Sequence, residues 1–346
     1  MMMNKTLIGS EELDKFYKDK FYFSYSGLNK LLYSPTLFYT HYILREREDS
    51  VDPHLVGGRV LHCLLFEPDK YDENFISLNG KLPTDSQRKI IDNIFRNYLN
   101  IENNYLLLED YSQDILTELL YANLYQSLKD TKDGTGDEKR LKKILTQENK
   151  EYFKFLINSQ GKTIVDQPTL DSSKERVEIL KNNSDVRALL QLDKTTEDTH
   201  IEVYNELFHK MDHEKLPFGL HGVLDNVVVD SDSKTIFIND LKTTGKSIGD
   251  FADAVEYYKY WIQGAIYFIL AGNKFLKDLP NPDTWNIQVT FIVIDKYNLV
   301  YPFQVSEETM SVWNTNFLEI INIATWHYDN KRYDLPYELA KGNFKL

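Results

Sequence analysis

The stretch HGVLDNVVVDSDSKTIFINDLK, residues His221–Lys242, decides the fold because it indicates two β-strands joined by a short polar turn. Apolar residues alternate with other residues on both sides of the turn-rich segment 231–234, which is the pattern of paired strands. If Asp230 and Thr235 close the turn, the register of the whole hairpin is set by counting outward from them. The sequence therefore predicts a hairpin with one defined set of facing residues.

That register places Asp225 opposite Asp240, with Lys242 one pleat further along the same face. Facing carboxylates repel unless something positive lies between them. The same face carries the valines and isoleucines of the hairpin, so it should be buried, and buried acids need a partner or a metal. We therefore predict that Asp225, Asp240 and the backbone carbonyl of Leu241 bind Mg²⁺, for which Mn²⁺ can substitute, and that Lys242 helps to activate water. The alternative is a pair of surface acids that Lys242 merely neutralises.

Composition excludes several classes of site. The chain has 346 residues, 42% of them hydrophobic, so it can form a substantial core. Cys63 is the only cysteine, which excludes an internal disulfide and an iron–sulfur cluster held by the chain's own cysteines. No GxxxxGK[ST] or GxGxxG motif occurs, so no nucleotide cofactor is expected. His213 and His221 lack the ligand spacing of a zinc site.

Charge and hydropathy bear on partners and location. The net charge of −13 argues against a general polyanion binder, although a local basic groove within an acidic body could still bind nucleic acid. Lys246 is a candidate for a phosphate contact in such a groove. The sequence has no apolar run as long as a membrane span and no signal-peptide pattern at its N-terminus, so we expect a cytoplasmic protein without a membrane partner.

The order of predicted elements indicates an α/β fold with a mixed sheet flanked by helices. Residues 1–195 are predicted as a helical N-terminal region, consisting of an arm and an insert at 80–195, and residues 196–346 as the core with a C-terminal helix. Predicted helices lie near 56–66, 84–99, 111–128, 137–158, 169–192 and 248–271, the last stopped by Gly272, and a final helix is capped by Ser306. Predicted strands outside the hairpin lie near 201–208, 285–294 and 297–305.

Four short segments in this order resemble the PD-(D/E)XK nuclease superfamily. GVLD at 222–225 and DLK at 240–242 resemble its acid and acid–lysine motifs. QGAIY at 263–267 resembles the Q-x-x-x-Y motif on the following helix, and GRVLH at 58–62 resembles a G-x-x-x-H helix. The closer resemblance is to the RecB/RecE-like (exonuclease VIII-like) exonucleases of bacteria and phages. The insert at 80–195 matches only as helical filler.

The resemblance implies a restriction-endonuclease-like core and roles for several further residues. It implies that His62 joins the metal site, although a lone histidine on an apolar helix is more often part of the core. Gln263 and Tyr267 would bind the DNA strand or hydrogen-bond to the catalytic lysine, although packing alone could explain them. A glutamate near Glu202 contacts the metal in some relatives, and an exposed edge carboxylate is the alternative; Glu206 is a weaker candidate.

The expected activity is Mg²⁺-dependent hydrolysis of DNA phosphodiester bonds, as an exonuclease on linear duplex DNA in recombination, repair or phage DNA metabolism. Two alternatives stay open: a structure-specific endonuclease on the same core, and a catalytically degenerate DNA-binding module. By analogy, a single-strand annealing protein is a candidate partner and a homo-oligomer a candidate assembly. No residue of the sequence identifies an interface.

Overall fold

The structure, a computed structural model, describes residues 11–46, 53–77, 82–98, 107–213 and 216–342. The first ten residues of the predicted N-terminal arm lie outside the described residues. Within those ranges, no helix has both the length and the apolar character needed to cross a membrane.

The chain divides into two compact units. One contains Met1–Glu67 together with Glu175–Leu346, and the other contains Pro68–Lys174. These limits differ from the predicted ones, which grouped all of residues 1–195. The physical reason is that helices on both sides of the second unit in sequence pack against strands of the later sheet.

Elements are numbered in chain order. Before the second unit come α1 (Glu11–Lys18), β1 (Tyr22–Phe23), α2 (Tyr25–Tyr33), α3 (Pro35–Phe38) and α4 (Pro53–Phe66). Next come α5 (Tyr71–Asn74), β2 (Phe75–Ser77), α6 (Asp85–Tyr98), α7 (Ser112–Tyr121), α8 (Gly136–Ile144), α9 (Gln147–Asn158), β3 (Thr163–Val165) and α10 (Gln167–Asn182). The remaining elements are α11 (Ser184–Leu190), β4 (Ile201–Met211), β5 (Gly219–Asp230), β6 (Thr235–Thr243), α12 (Phe251–Tyr257), α13 (Tyr260–Phe275), β7 (Asn286–Ile294), β8 (Val300–Gln304), α14 (Glu307–Asn330) and α15 (Tyr337–Ala340).

A mixed sheet in the order β1-β5-β6-β7-β8 forms the centre of the first unit, and β4 pairs with β5. The β4–β5, β5–β6 and β7–β8 pairs are antiparallel, whereas β6 and β7 are parallel and α12 and α13 connect them. The predicted fold class, an α/β fold with a mixed sheet flanked by helices, is confirmed.

The predicted hairpin register is confirmed up to the point where the strands separate. Asp230 pairs with Thr235, and the ladder continues by single steps to Asn226 and Asn239, where it ends. The pair that would come next is the one containing the two carboxylates. The strands therefore part at the place where the sequence puts its acids.

Helices cover both faces of the sheet, which is why β5, β6 and β7 read as almost continuous apolar runs. Val227 and Ile238 belong to the main core, to which α13 and α14 contribute. On the other face, Leu241 and Ile292 pack in a second cluster with Leu61 of α4 and residues of α11. Two-sided burial places the central strands away from water and leaves their ends to form the site.

The predicted helix at 248–271 is wrong in two respects. It is interrupted, because Lys259 adopts a left-handed backbone conformation with φ 55° and separates α12 from α13. Gly272 does not stop it either, since α13 continues to Phe275. Apolar periodicity runs through both helices and so conceals the break.

In the second unit and just after it, capping residues divide long predicted helices. The segment 137–158 forms α8 and α9, with Thr146 capping the second helix. The segment 169–192 forms α10 and α11, with the Asn183 side chain capping α11. A short parallel pair, β2 with β3, was not predicted.

Gly222 offers a test of how tightly α13 packs on β5. A methyl group there would lie 2.9 Å from Tyr267 Cε1 and 3.1 Å from Leu270 Cδ1. We expect Gly222→Ala to lower the free energy of unfolding by about 1–3 kcal/mol through overpacking, measured by urea denaturation. Gly245→Ala is the control, because its methyl group would meet nothing within 4 Å. Equal stability of the two variants would contradict this packing.

Candidate active site

The site begins where β5 and β6 separate. The backbone N–H of Leu241 donates to Asp225 Oδ2 at 2.8 Å, in the position where a ladder hydrogen bond would otherwise continue. Asp225 and Asp240 are both buried, with 7% and 1% of their surface exposed. Two acids are thus held at one strand separation, as the hairpin register predicts.

His62 reaches this point from α4. Its Nε2 lies 3.1 Å from the Leu241 carbonyl oxygen and can donate a hydrogen bond to it. Its Nδ1 lies 3.5 Å from Asp225 Oδ2 and 3.7 Å from Glu206 Oε1. The structure therefore brings His62, the Leu241 carbonyl and Asp225 together, as the sequence resemblance implied.

Glu206 is the carboxylate whose position the sequence did not identify. The β4–β5 register pairs Asn205 with Asn226 and Leu207 with Leu224, which leaves Glu206 across from Asp225. Glu206 has a left-handed backbone with φ 47°, unusual for a non-glycine residue within a strand. Ligand atoms of His62, Glu206 and Asp225 all lie within 4.8 Å of one another.

Glu202, the candidate ligand for which an exposed edge carboxylate was the alternative, is exposed and lies elsewhere. It pairs with Val229, four residues along β5 from Asp225, and its carboxylate accepts a hydrogen bond from the Tyr204 hydroxyl. Glu202 and Glu206 are four residues apart in β4, so the alternation of side chains along a strand predicts the same face of the sheet for both and cannot distinguish them. Only the register between β4 and β5 does so, and the seven-residue connection between Met211 and Gly219 is longer than the turns from which a hairpin register can be counted.

Lys242 forms a buried ion pair with Asp240. Its Nζ contacts Asp240 Oδ2, and only 14% of the lysine side chain is exposed. The ammonium also lies 5.0 Å from the centre of the Tyr260 ring and 5.9 Å from that of Phe291. An acid and two aromatic faces thus fix the position of this cation.

Gln263 and Tyr267 support Asp240 from α13. Gln263 Nε2 donates to Asp240 Oδ1 and to the Tyr267 hydroxyl, each at 2.9 Å. Both side chains are buried, and Gln263 Oε1 has no hydrogen-bond partner among the described residues. The predicted strand-binding role of the pair does not agree with this burial, and Gln263 contacts the acid rather than Lys242. Lys246 is exposed in the turn after β6.

A row of asparagines ties three strands together beside the strand separation. Asn239 Nδ2 donates to Asn226 Oδ1 at 2.8 Å and to the Leu189 carbonyl at 2.9 Å, and Asn226 Nδ2 donates to Asn205 Oδ1 at 2.9 Å. Asn226 and Asn239 are the last ladder pair before the acids. The row was not recognised in the sequence, although strand asparagines one residue from each acid were a usable signal.

Burial and neighbouring charges together raise the pKa values of His62, Asp240 and Lys242. Burial would lower the pKa of His62, but Asp225 and Glu206 raise it to about 9. Burial raises the pKa of Asp240 to about 6, against the opposing effect of Lys242. Burial would lower the pKa of Lys242, but Asp240 and Asp225 raise it above its usual value. The site therefore favours bound cations.

The donor set fits a hard divalent cation. Asp225, Glu206 and Asp240 supply carboxylate oxygens, His62 a ring nitrogen and Leu241 a carbonyl oxygen, which suits Mg²⁺ or Mn²⁺. The ligand atoms of His62, Glu206 and Asp225 lie within 4.8 Å of one another, a limit of the same order as the roughly 4.2 Å between opposite ligands of one Mg²⁺. Three acids exceed the charge that Lys242 alone can offset.

Comparison with known protein families finds no match, and comparison with curated proteins finds no relative. Among solved structures, the chain is similar to a crystal structure from Eubacterium rectale described as a "Putative exonuclease". The identity is 10%, the alignment covers 100% of this chain and 95% of the other, and the TM-score is 0.43. Similarity at this level does not establish a function, so the function is inferred from the residues and distances of the site itself.

The raised pKa of His62 gives a test of the site's charge. In EDTA, His62 should titrate near 9, whereas His221, whose pKa burial lowers from 6.5, should titrate in the acidic range. Protonated His62 should stabilise the fold fully below pH 6.5, and that contribution should be lost as the pH rises through about 9.

Ring-proton NMR measures the two titrations, and urea denaturation of the native protein and of His62→Gln measures the linked stability. The native protein should lose more unfolding free energy than the variant between these pH values. A His62 pKa at or below its ordinary value, or equal losses in the two proteins, would contradict the described environment.

Proposed function

We propose that the protein is a metal-dependent nuclease of the PD-(D/E)XK type that hydrolyses phosphodiester bonds in DNA. The observation that carries the proposal is the convergence of Asp225, Asp240 and Lys242 with His62 and Glu206 where two central strands separate. Buried acids beside a lysine cost free energy of folding, and titratable groups perturbed in this way cluster at functional sites.

The residues that would hold the metal are Asp225, Asp240, Glu206, His62 and the Leu241 carbonyl. When bound, Mg²⁺ supplies Lewis-acid stabilisation of the phosphoryl oxygens and lowers the pKa of a water molecule. In this proposal Glu206 has the metal-binding role that was considered for Glu202.

Lys242 acts in this proposal as a cation. Its raised pKa keeps the ammonium protonated near neutral pH, so Nζ does not remove a proton from water. Instead it donates hydrogen bonds to the attacking water or to a phosphate oxygen, and it offsets the negative charge that develops as the phosphorus is attacked. Asp240, Tyr260 and Phe291 hold it in position for this role.

Gln263 and Tyr267 act as positioning residues. The Gln263 amide fixes one oxygen of Asp240 while Lys242 contacts the other, so the carboxylate cannot rotate freely. Tyr267 in turn accepts a hydrogen bond from Gln263 and packs beside Gly222 on β5. The GVLD and QGAIY segments thus meet through packing as well as through the site.

The favoured substrate is linear duplex DNA, attacked from an end. Lys246, exposed after β6, is assigned a contact to a phosphate of the strand in this proposal. The resemblance of the motifs to RecB/RecE-like exonucleases supports an exonuclease and a role in recombination, repair or phage DNA metabolism. A single-strand annealing partner and a homo-oligomer rest on the same analogy.

Lys242→Met and Asp240→Asn test the proposal. Each should reduce Mg²⁺-dependent digestion of linear duplex DNA by at least about 100-fold, because Asp240→Asn removes a metal-binding carboxylate and Lys242→Met removes the cation that offsets charge at the reacting phosphate. Lys234→Met, in the turn at the other end of the same hairpin, should retain activity. Lys242→Met leaves a buried acid unpaired, so the double variant Asp240→Asn/Lys242→Met is included. Thermal unfolding of the native protein and of all four variants then separates loss of chemistry from loss of fold.

End-labelled linear, nicked and circular DNA, incubated with Mg²⁺, Mn²⁺ or EDTA, then distinguishes the modes of action. Digestion of linear DNA alone supports the exonuclease, and cutting of closed circles supports the endonuclease. Retained activity in the variants, or DNA binding without digestion under any metal condition, would contradict the proposal.

A further inference from the structure

An exposed aromatic bend follows α12. The sequence EYYKYW at 256–261 contains three tyrosines around Lys259, whose left-handed backbone ends one helix before the next begins. Tyr257 and Tyr258 are 76% and 47% exposed, whereas Tyr260 is partly buried at the start of α13. The break thus turns two large rings towards solvent.

The bend is anchored from α2. The Tyr25 hydroxyl and the Asn29 side-chain amide both donate to the backbone carbonyl of Tyr258, the latter at 3.3 Å. The Tyr260 ring is supported from below by Phe251, with ring centres 6.2 Å apart and planes 27° apart. These contacts fix the positions from which the exposed rings extend.

The rings form a series that starts at the candidate site. Lys242 Nζ lies 5.0 Å from the Tyr260 ring centre, and Tyr260 stacks with Tyr258 at 5.4 Å with 26° between their planes. Tyr257 then meets Tyr258 edge to face at 4.9 Å. A strand with a phosphate at Lys242 therefore has aromatic faces within the reach of its neighbouring nucleotides.

We propose that Tyr257 and Tyr258, linked to the site through the stacked ring of Tyr260, form a stacking platform for unpaired bases next to the scissile phosphate, so that the preferred DNA end is single-stranded or frayed. Bases stack on aromatic side chains with little regard to sequence. In a duplex the base faces are covered by neighbouring pairs, whereas unpaired bases offer theirs. The inference rests on the proposed nuclease function and adds the structure of the substrate end.

The setting favours nucleic acid over a protein as the occupant. The platform continues directly from a site whose lysine suits a phosphate, and Lys259 lies within the bend itself. Rings beside cations match a strand that presents bases and phosphates in alternation. A protein partner would not require aromatic rings that continue directly from Lys242.

The test compares two duplexes of identical sequence, one with a short unpaired end and one in which the unpaired nucleotides are abasic. The native protein should show about tenfold higher kcat/KM on the end that keeps its bases, which is the factor expected for one stacking contact. The change should appear in KM, while kcat stays the same. In Tyr258→Ala and in Tyr257→Ala/Tyr258→Ala the ratio should fall towards one. Tyr258→Phe should restore it, and Tyr121→Ala, which removes a tyrosine of the second unit that is 82% exposed, should keep the native ratio.

Binding without catalysis provides a separate readout. In EDTA, 2-aminopurine in the unpaired end should lose fluorescence on binding to the native protein and lose less on binding to Tyr258→Ala. Quenching without any digestion would support the platform while contradicting the nuclease, and digestion without base-dependent quenching would do the opposite. Equal kcat/KM on both ends, or a change only in oligomeric state in the variants, would overturn the platform.

Discussion

The hydrogen bond from the Leu241 backbone N–H to the Asp225 carboxylate is the interaction on which the site depends. It takes a backbone donor away from the β5–β6 ladder and gives it to a side chain, so the strands separate one residue after Asn226 and Asn239. A buried N–H must find an acceptor, and here the acceptor is itself a site residue. Because the strands separate, the Leu241 carbonyl oxygen lies outside the β5–β6 ladder, and it is within hydrogen-bond distance of His62 Nε2.

Charge balance explains why the surrounding residues are present. Burial of Asp225 and Asp240 beside the half-buried Glu206 is unfavourable, and the cost is offset by Lys242 and by the proton that His62 retains. The raised pKa values of His62 and Lys242 reflect the excess of negative charge, whereas burial raises the pKa of Asp240. A site built in this way gains when a divalent cation enters, which links the folding energetics to the proposed chemistry.

The sequence predicted the elements that depend on local patterns and missed those that depend on register between distant segments. The alternation within the hairpin predicted that Asp225 and Asp240 lie opposite each other, because the turn is short enough for the strand register to be counted from it. The same counting could not decide between Glu206 and Glu202, since the seven residues that connect β4 to β5 exceed the length of the common hairpin turns. Lys259 was missed because apolar periodicity persists across the left-handed residue, while the burial of Tyr267 results from packing that its motif does not encode.

Manganese binding tests the central claim, that the acids at the strand separation hold a divalent metal, most directly. Titration of the protein with Mn²⁺, followed by electron paramagnetic resonance and by anomalous diffraction from soaked crystals, reports both affinity and position. We expect an ion bound by Asp225 and Asp240, with affinity at least about tenfold weaker in Asp225→Asn and unchanged in Glu202→Gln. Equal binding by native protein and Asp225→Asn, or an ion located away from these acids, would contradict the account.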